Sequence, residues 1–343
     1  MLYDYNGVSV TTENETNAII AAHRGYHATA AQNSADSIIE ASKAGFYWVE
    51  LDIRKTADGV LVLAHDNSVT MYSSGTAKTV KFSTANYSTI KGYTWDAAGN
   101  YPLCTLAAAF NTAKCLDMHI ICDRKTGTNE EIVQVANECG ATDRIMLSYY
   151  SFAEAVADLA LLNRYGWIPI RVYPSGYSDA AGLAGIKNPL YADINSSTVD
   201  NDLISNALAF GMPIIFSGCT TSNSNIWSVL AKGVMANLNL NITPEEFASY
   251  LVNEYDKAVT ITPSSASLSV SSGNTTTITA ATGESSPAGY VYGYCLNPLV
   301  ATVKETTFGA SAGFTVTGVS AGNTTLRLFT GTGEYVDVPV TVS

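Results

Sequence analysis

Nine short apolar runs alternate with segments of helical period through the first two thirds of the chain, and that alternation constrains the fold more than any other feature. The runs are AIIAAHRG, YWVELDI, VLVLAHD, HIICDRK, RIMLSYY, IPIRVYP, LYADINS, MPIIFSG and VMANLNL. Between them lie NEEIVQVANECG, FAEAVADLALLNRYG, VDNDLISNALAFG and NSNIWSVLAKG, whose apolar residues recur at helical spacing. TPEEFASYLVNEY closes this part, with Thr243 as N-cap, Pro244 at the first helical position and Glu246 completing a capping box. If VLVLAHD is an excursion after the second strand, eight strands and about eight helices remain, the pattern of a (β/α)8 TIM barrel. An open doubly wound sheet is the alternative. It is disfavoured because neither GxGxxG nor a P-loop follows the first strand.

The character of the chain changes near Lys257. Beyond it Ser, Thr, Gly and Val dominate, as in ITPSSASLSVSSGNTTTITA, with period-two alternation and frequent turn residues. That is the pattern of a small all-β sandwich. It holds no His and no convergent polar cluster, as a spacer or adhesion module would. The expected organisation is a lead-in at 1–16, a barrel at 17–257 and a β domain at 258–343.

With 47% hydrophobic and 14% charged residues, the chain can bury a large core. No apolar run approaches the ~20 residues of a membrane-spanning helix, so no transmembrane segment is expected. A net charge of −12 argues against nucleic acid and anionic membrane surfaces as partners, though a local cation cluster can still hold a small anion. Cys104, Cys115, Cys122, Cys139, Cys219 and Cys295 lack CxxC spacing and read as buried free thiols rather than a disulfide framework or a metal site.

Barrel enzymes carry their chemistry at the C-terminal ends of the strands. The first strand ends in His23-Arg24. The second carries Glu50 and Asp52 two residues apart, hence on one face. The excursion ends in His65-Asp66, and the strand HIICDRK carries Asp123 and Lys125, again two apart. Inward carboxylates in such apolar strands are costly unless they bind a metal or pair with cations. Three carboxylates without a His pair favour a hard divalent cation, Mg²⁺ or Ca²⁺, over zinc. Beside them, His23 and His65 suit acid–base duty. Arg24 and Lys125 suit phosphoryl oxygens or, more simply, serve as counterions. His27 reads as an exposed loop residue, and His119 lies at the wrong end of its strand for catalysis.

The sequence resembles the glycerophosphodiester phosphodiesterase family, a TIM-barrel group. The resemblance rests on "HRGYHATAAQNS", "VELDIRKTADGVLVLAHD" and "ICDRK", in that order and spacing, and spans roughly residues 17–257. It implies metal ligation by Glu50, Asp52 and Asp123, an acid–base pair of His23 and His65, and phosphate contact by Arg24 and Lys125. Asn33 and Asp66 match supporting positions of the same motifs. The implied reaction is hydrolysis of a glycerophosphodiester to sn-glycerol 3-phosphate and an alcohol. Departures from the family pattern fall at Gln32, in place of a Glu, and at Asp123, one methylene shorter than the family's Glu. The last strand lacks the family's Thr-Asp, and Phe216 replaces a frequent Trp, which places Gln32 and Phe216 in the expected substrate pocket. The tail resembles bacterial immunoglobulin-like group 2 domains through "VTITPSSASLSVSSGNTTTITA", "LVATV" and "GFTVTGVSAGNTTLRL".

The expected function is therefore a metal-dependent phosphodiesterase acting on small glycerophosphodiesters or on a glycerol-phosphate polymer such as teichoic acid. Two alternatives are an inactive barrel that binds surfaces or glycans, and a phospholipase-D-like enzyme acting on lipid head groups. The opening residues show no secretory signal. The expected setting is extracellular or cell-surface, with the signal removed; a phage tail component made in a host cytosol is the alternative.

Overall fold

A computed structural model of the chain describes residues 4–5, 8–9, 20–174, 179–195, 203, 207, 212–219, 235–238, 259–285, 289–307, 309–330 and 334–343. In chain order the first unit contains β1 (Ile20–His23), β2 (Trp48–Lys55), β3 (Leu61–Leu63), a hairpin of β4 (Ser68–Ser73) and β5 (Thr76–Lys81), then β6 (His119–Arg124), β7 (Ile145–Tyr149), β8 (Ile170–Val172), β9 (Leu190–Asn195), β10 (Ile214–Cys219) and β11 (Met235–Leu238). Strands β1, β2 and β6 to β11 pair in parallel, each with the next. The sheet closes because β11 returns to β1, with Asn237 opposite Ala21. Eight parallel strands in a closed ring are the barrel that the alternation predicts. β3 is the excursion, antiparallel to β2 with Leu63 opposite Ile53.

Closure sorts each strand's side chains by parity. In β2, Val49, Leu51 and Ile53 are fully buried in the cluster that includes Ile38, Ala41, Phe110 and Ile132 from the surrounding helices. Trp48, on the other parity, packs with Ala21, Ile121, Met146 and Ile215 in the interior. Glu50 and Asp52 share Trp48's parity, so they project inward above an apolar floor.

The helices of this unit include α1 (Ala35–Lys43), α2 (Tyr87–Ile90), α3 (Leu106–Cys115), α4 (Asn129–Cys139), α5 (Phe152–Ala157) and α6 (Leu159–Arg164), of which α4, α5 and α6 fall on the segments NEEIVQVANECG and FAEAVADLALLNRYG. Ser34 and Ser37 cap α1 reciprocally, Thr128 and Glu131 form a capping box on α4, and Gly140 ends α4 in the left-handed region at φ 61°. FAEAVADLALLNRYG, a single helical segment by its period, is broken at Asp158, whose carboxylate accepts a 3.0 Å hydrogen bond from the Tyr149 hydroxyl. Of the later helical segments, Leu203 and Ala207 are helical, and the capped segment at Thr243 lies outside the described residues. No helix among the described residues is long and apolar enough to cross a membrane.

The second unit is a two-sheet β-sandwich with strands β12 (Thr262–Pro263), β13 (Leu268–Val270), β14 (Thr275–Ala281), β15 (Val291–Cys295), β16 (Ala301–Thr307), β17 (Ser311–Gly318), β18 (Gly322–Thr330) and β19 (Tyr335–Val342). The sheets run β12-β14-β17-β16 and β13-β19-β18-β15. Alternate residues of both, among them Ile278, Phe314, Val316, Leu326, Leu328 and Val340, form one core.

The described cysteines are free, as expected: Cys104, Cys122 and Cys295 are buried and Cys139 is half-buried. Cys115, expected to be buried, is exposed because it falls on the last turn of α3, off the face that buries Leu106, Ala109, Phe110 and Ala113. The thiol of Cys219 lies outside the description.

Candidate active site

The chain turns sharply at the C-terminal end of β1. Arg24, a non-glycine residue, lies in the left-handed region at φ 57°, followed by Gly25 at φ 76°, and Asn33 reaches φ 56°. Such positive φ values cost a residue with a side chain roughly 1–2 kcal/mol. The strain is offset by specific bonds: Arg24 N donates to Glu50 Oε2 (3.2 Å), and Asn33 N donates to Arg24 O (2.9 Å). A Cβ on Gly25 would stand 2.2 Å from Ser37 Oγ and 2.8 Å from the Ser37 backbone carbon. Gly25→Ala is therefore expected to destabilise the fold by about 2–3 kcal/mol, through both the φ penalty and overpacking against α1. The check is a urea midpoint; an unchanged midpoint would show that the turn relaxes freely.

The turn brings Arg24 onto the acidic residues of β2. Glu50, Asp52 and Asp123 are all buried, and their carboxylate oxygens lie within 4.8 Å of one another. Asp52 is the most connected. It receives Arg24 Nε at 3.2 Å, Lys125 Nζ at 3.2 Å and Asn33 Nδ2 at 2.8 Å, while its own amide donates to Asn33 Oδ1 at 3.0 Å. Asp123 accepts from Lys125 Nζ (2.9 Å) and from the Tyr150 hydroxyl (2.6 Å). Burial alone would raise the Asp123 carboxyl, but Arg171, Lys125 and the Tyr150 bond hold it down at about 2. Glu50 goes the other way. Burial, and then the charges of Asp52 and Asp123, push it well above the usual carboxylate range, because Arg171 and Lys125 offset only part of that charge.

This imbalance is the test of whether a cation belongs here. Three converging hard oxygens, with one carboxyl disfavoured in its charged form by the other two, suit a divalent cation, and the triad is able to bind one.

His23, at the end of β1, has its side chain 21% exposed, with Nε2 3.8 Å from Glu50 Oε2. Burial first and then the Arg24 charge lower it to about 4, so the imidazole is neutral at pH 7 and able to accept a proton. His65 follows the excursion. Its side chain is 39% exposed at the rim, Nδ1 pairs with Asp66 Oδ1 at 2.9 Å, and Arg54 Nε fixes its carbonyl at 2.8 Å. Ala64 N donates to Asp52 O, which places His65 one residue beyond the acidic pair. Gln32 is exposed, and its Oε1 accepts from Arg24 Nη1 (3.0 Å).

The other expectations divide. His27 is half-buried rather than exposed, its ring bonded to Gly25 O within its own loop. His119 sits at the N-terminal end of β6 against Tyr47 and Trp48, away from the site as predicted, and burial lowers it. Phe216 does not line the pocket. It is fully buried and packs in the cluster shared with the helices, whereas Ile215 lies in the interior cluster and Ser217 bonds Asp193. Strand parity turns Phe216 outward.

Four groups escape the sequence reading. Arg171, on β8, is fully buried. Its Nε donates to Ser148 Oγ (2.7 Å) and its Nη1 to Asp193 Oδ2 (2.8 Å), and its Nη2 lies 3.4 Å from Asp123 and 3.8 Å from Glu50. A charge in the middle of IPIRVYP, and another in LYADINS, were the available signals. Ser148 and Tyr150 left none, since RIMLSYY reads as an ordinary strand. Tyr150 stacks on Tyr173 with ring centroids 5.5 Å apart.

Residues 23–170 match the model of the family described as "Glycerophosphoryl diester phosphodiesterase family". A stretch of 57 residues is 46% identical to human glycerophosphodiester phosphodiesterase 1 and 44% identical to its bovine counterpart. That stretch is 17% of this chain and 17% of each relative, so the chain spans about a sixth of the curated relatives' length. Among solved structures, a glycerophosphodiester phosphodiesterase from Parabacteroides distasonis superposes with a TM-score of 0.55 at 22% identity, over 70% of this chain and 99% of that one. An Oleispira antarctica phosphodiesterase in complex with the product sn-glycerol-3-phosphate gives 0.53 at 18%, over 68% and 97%. At these identities the superpositions establish a shared fold. Residues 23–170 thus carry the sequence pattern of the glycerophosphoryl diester phosphodiesterase family, on a barrel with the fold of that family's solved members.

Proposed function

We propose that the barrel hydrolyses glycerophosphodiesters to glycerol 3-phosphate and an alcohol, using one divalent cation, Mg²⁺ or Ca²⁺. The observation that carries this reading is the meeting of Glu50, Asp52 and Asp123 with Arg24, Lys125 and a neutral His23 at one end of the closed ring. Glu50, Asp52 and Asp123 would hold the cation, which when bound supplies positive charge to the phosphoryl oxygens. Arg24 and Lys125 sit beside the triad and orient the same oxygens. One of His23 and His65 takes a proton from the attacking water as the new P–O bond forms. The other gives a proton to the leaving alcohol as the old P–O bond breaks. Asn33 keeps Asp52 in place through its paired bonds, and Asp66 orients the His65 ring. The Oleispira relative's bound glycerol 3-phosphate is the product this reaction requires.

The test is cation-dependent release of glycerol 3-phosphate from a panel of soluble glycerophosphodiesters, lipids and glycerol-phosphate teichoic acid. Release with Mg²⁺ or Ca²⁺, abolished by chelation, is expected; no release from any member would sink the proposal. His65→Ala is expected to cost about 10²-fold in kcat/KM, the scale of one general acid–base group. Undiminished turnover would remove His65 from its role.

One observation favours the second reading, a barrel that binds surfaces or glycans without turnover: Lys125 Nζ already rests against Asp123 and Asp52. A tethered ammonium that excluded divalent ions would produce a protein that binds teichoic acid without cleaving it. The β-sandwich, read as an immunoglobulin-like attachment module, would place either activity at a cell surface or on a phage particle. Retention of the intact chain on teichoic-acid-bearing cell walls, lost on deletion of 258–343, is the corresponding check.

A further inference from the structure

Arg171 is the cation that the motifs do not account for. It is fully buried and held from behind by Ser148 and Asp193. Its Nη2 has no hydrogen-bond partner and points into the triad, 3.4 Å from Asp123 Oδ2 and 3.8 Å from Glu50 Oε1. A buried guanidinium N–H left unpaired is costly, so retaining one beside two prospective metal ligands points to a role in the charge balance there.

We infer that Arg171 is a positioning residue that tunes the site's charge, weakening its hold on a divalent cation while strengthening its hold on a phosphodiester. With the ligands ionised, as metal binding requires, the site contains four carboxylates (Glu50, Asp52, Asp123, Asp193) and three cations (Arg24, Lys125, Arg171), a net charge of −1. A divalent ion makes the net charge +1, and a singly charged phosphodiester brings it to zero. Without Arg171 the metal-loaded site is neutral and the phosphodiester adds an uncompensated negative charge.

This inference rests on the metal-dependent reading above, and its signature is a pair of effects with opposite signs. Calorimetric titration of the full chain with Mn²⁺ or Mg²⁺ is expected to show Arg171→Gln binding the ion about tenfold more tightly, since a unit charge close to two of the ligands is removed. KM for a small glycerophosphodiester rises by a similar factor. Arg171→Lys keeps both constants near wild type. Asp193→Asn removes a negative charge and releases Arg171 toward the triad, so ion binding weakens several-fold and KM falls. That variant carries the test if Arg171→Gln does not fold.

A merely structural Arg171 would weaken ion and substrate binding together in Arg171→Gln, alongside a lower Tm, and that result would overturn the inference. So would ion affinity unchanged in both Arg171→Gln and Asp193→Asn. If the wild-type chain binds no divalent ion, the proposed function falls and this inference with it. If it binds one with an affinity insensitive to these charges, only the inference falls.

Discussion

His23→Ala is expected to lower kcat/KM by about 10³-fold while leaving the unfolding midpoint close to wild type. The two halves of this expectation have separate causes. The imidazole ends β1 at the mouth of the barrel with its side chain 21% exposed, and its Nε2 stands 3.8 Å from Glu50 Oε2, beyond hydrogen-bond distance, so truncating it breaks no hydrogen bond between the two. Its chemical contribution follows from its surroundings. Burial and the adjacent Arg24 hold it at about 4, so it is unprotonated at neutral pH beside Glu50, in a form able to accept a proton. Steady-state kinetics on the best substrate of the panel, with a urea melt in parallel, make the check. A fall in activity matched by an equal loss of stability would make His23 a structural residue, and retained activity would remove it from the chemistry.

Asp52→Ala is expected to abolish calorimetrically detectable ion binding and turnover, and to destabilise the fold by about 3–5 kcal/mol, the usual cost of stranding buried charges. Asp52 is the hub of the site. Arg24, Lys125 and Asn33 all converge on its carboxylate, and truncation leaves two cations and an amide facing a void. Asp52→Asn keeps the shape and removes only the charge. It should recover part of the stability and none of the ion binding, because a neutral amide is a poor ligand for a hard cation. If Asp52→Ala melted like wild type, the ion pairs around Asp52 would contribute nothing, and the strained turn at Arg24 would need another source of support.

Much of the barrel was legible in the chain, for local reasons. Period-two and period-3.6 patterns are set by the geometry of single strands and helices, which act within a few residues. The spacing of Glu50 and Asp52 by two residues placed both on one face in advance. Asp123 and Lys125 were legible for the same reason. Phe216 shows the limit: a motif position does not carry parity, and the strand put it on the helix side while Ser217 turned to Asp193. The single helical segment at 152–164 likewise divides at Asp158, where the carboxylate accepts a hydrogen bond from the Tyr149 hydroxyl, a contact that its helical period does not contain.

By itself the sequence determined the alternation of strands and helices, the sandwich that follows, and the residue types at the end of the barrel, because each depends on neighbours a few positions apart. The tertiary structure alone decided that the ring closes between β11 and β1 and that Arg171 reaches Asp123 and Glu50 from β8. It also decided that Tyr150 donates to Asp123 and that Phe216 faces away. These depend on register across a closed sheet, where residues 27 to 216 positions apart are brought together by hydrogen-bonded pairing and not by any pattern within a single strand.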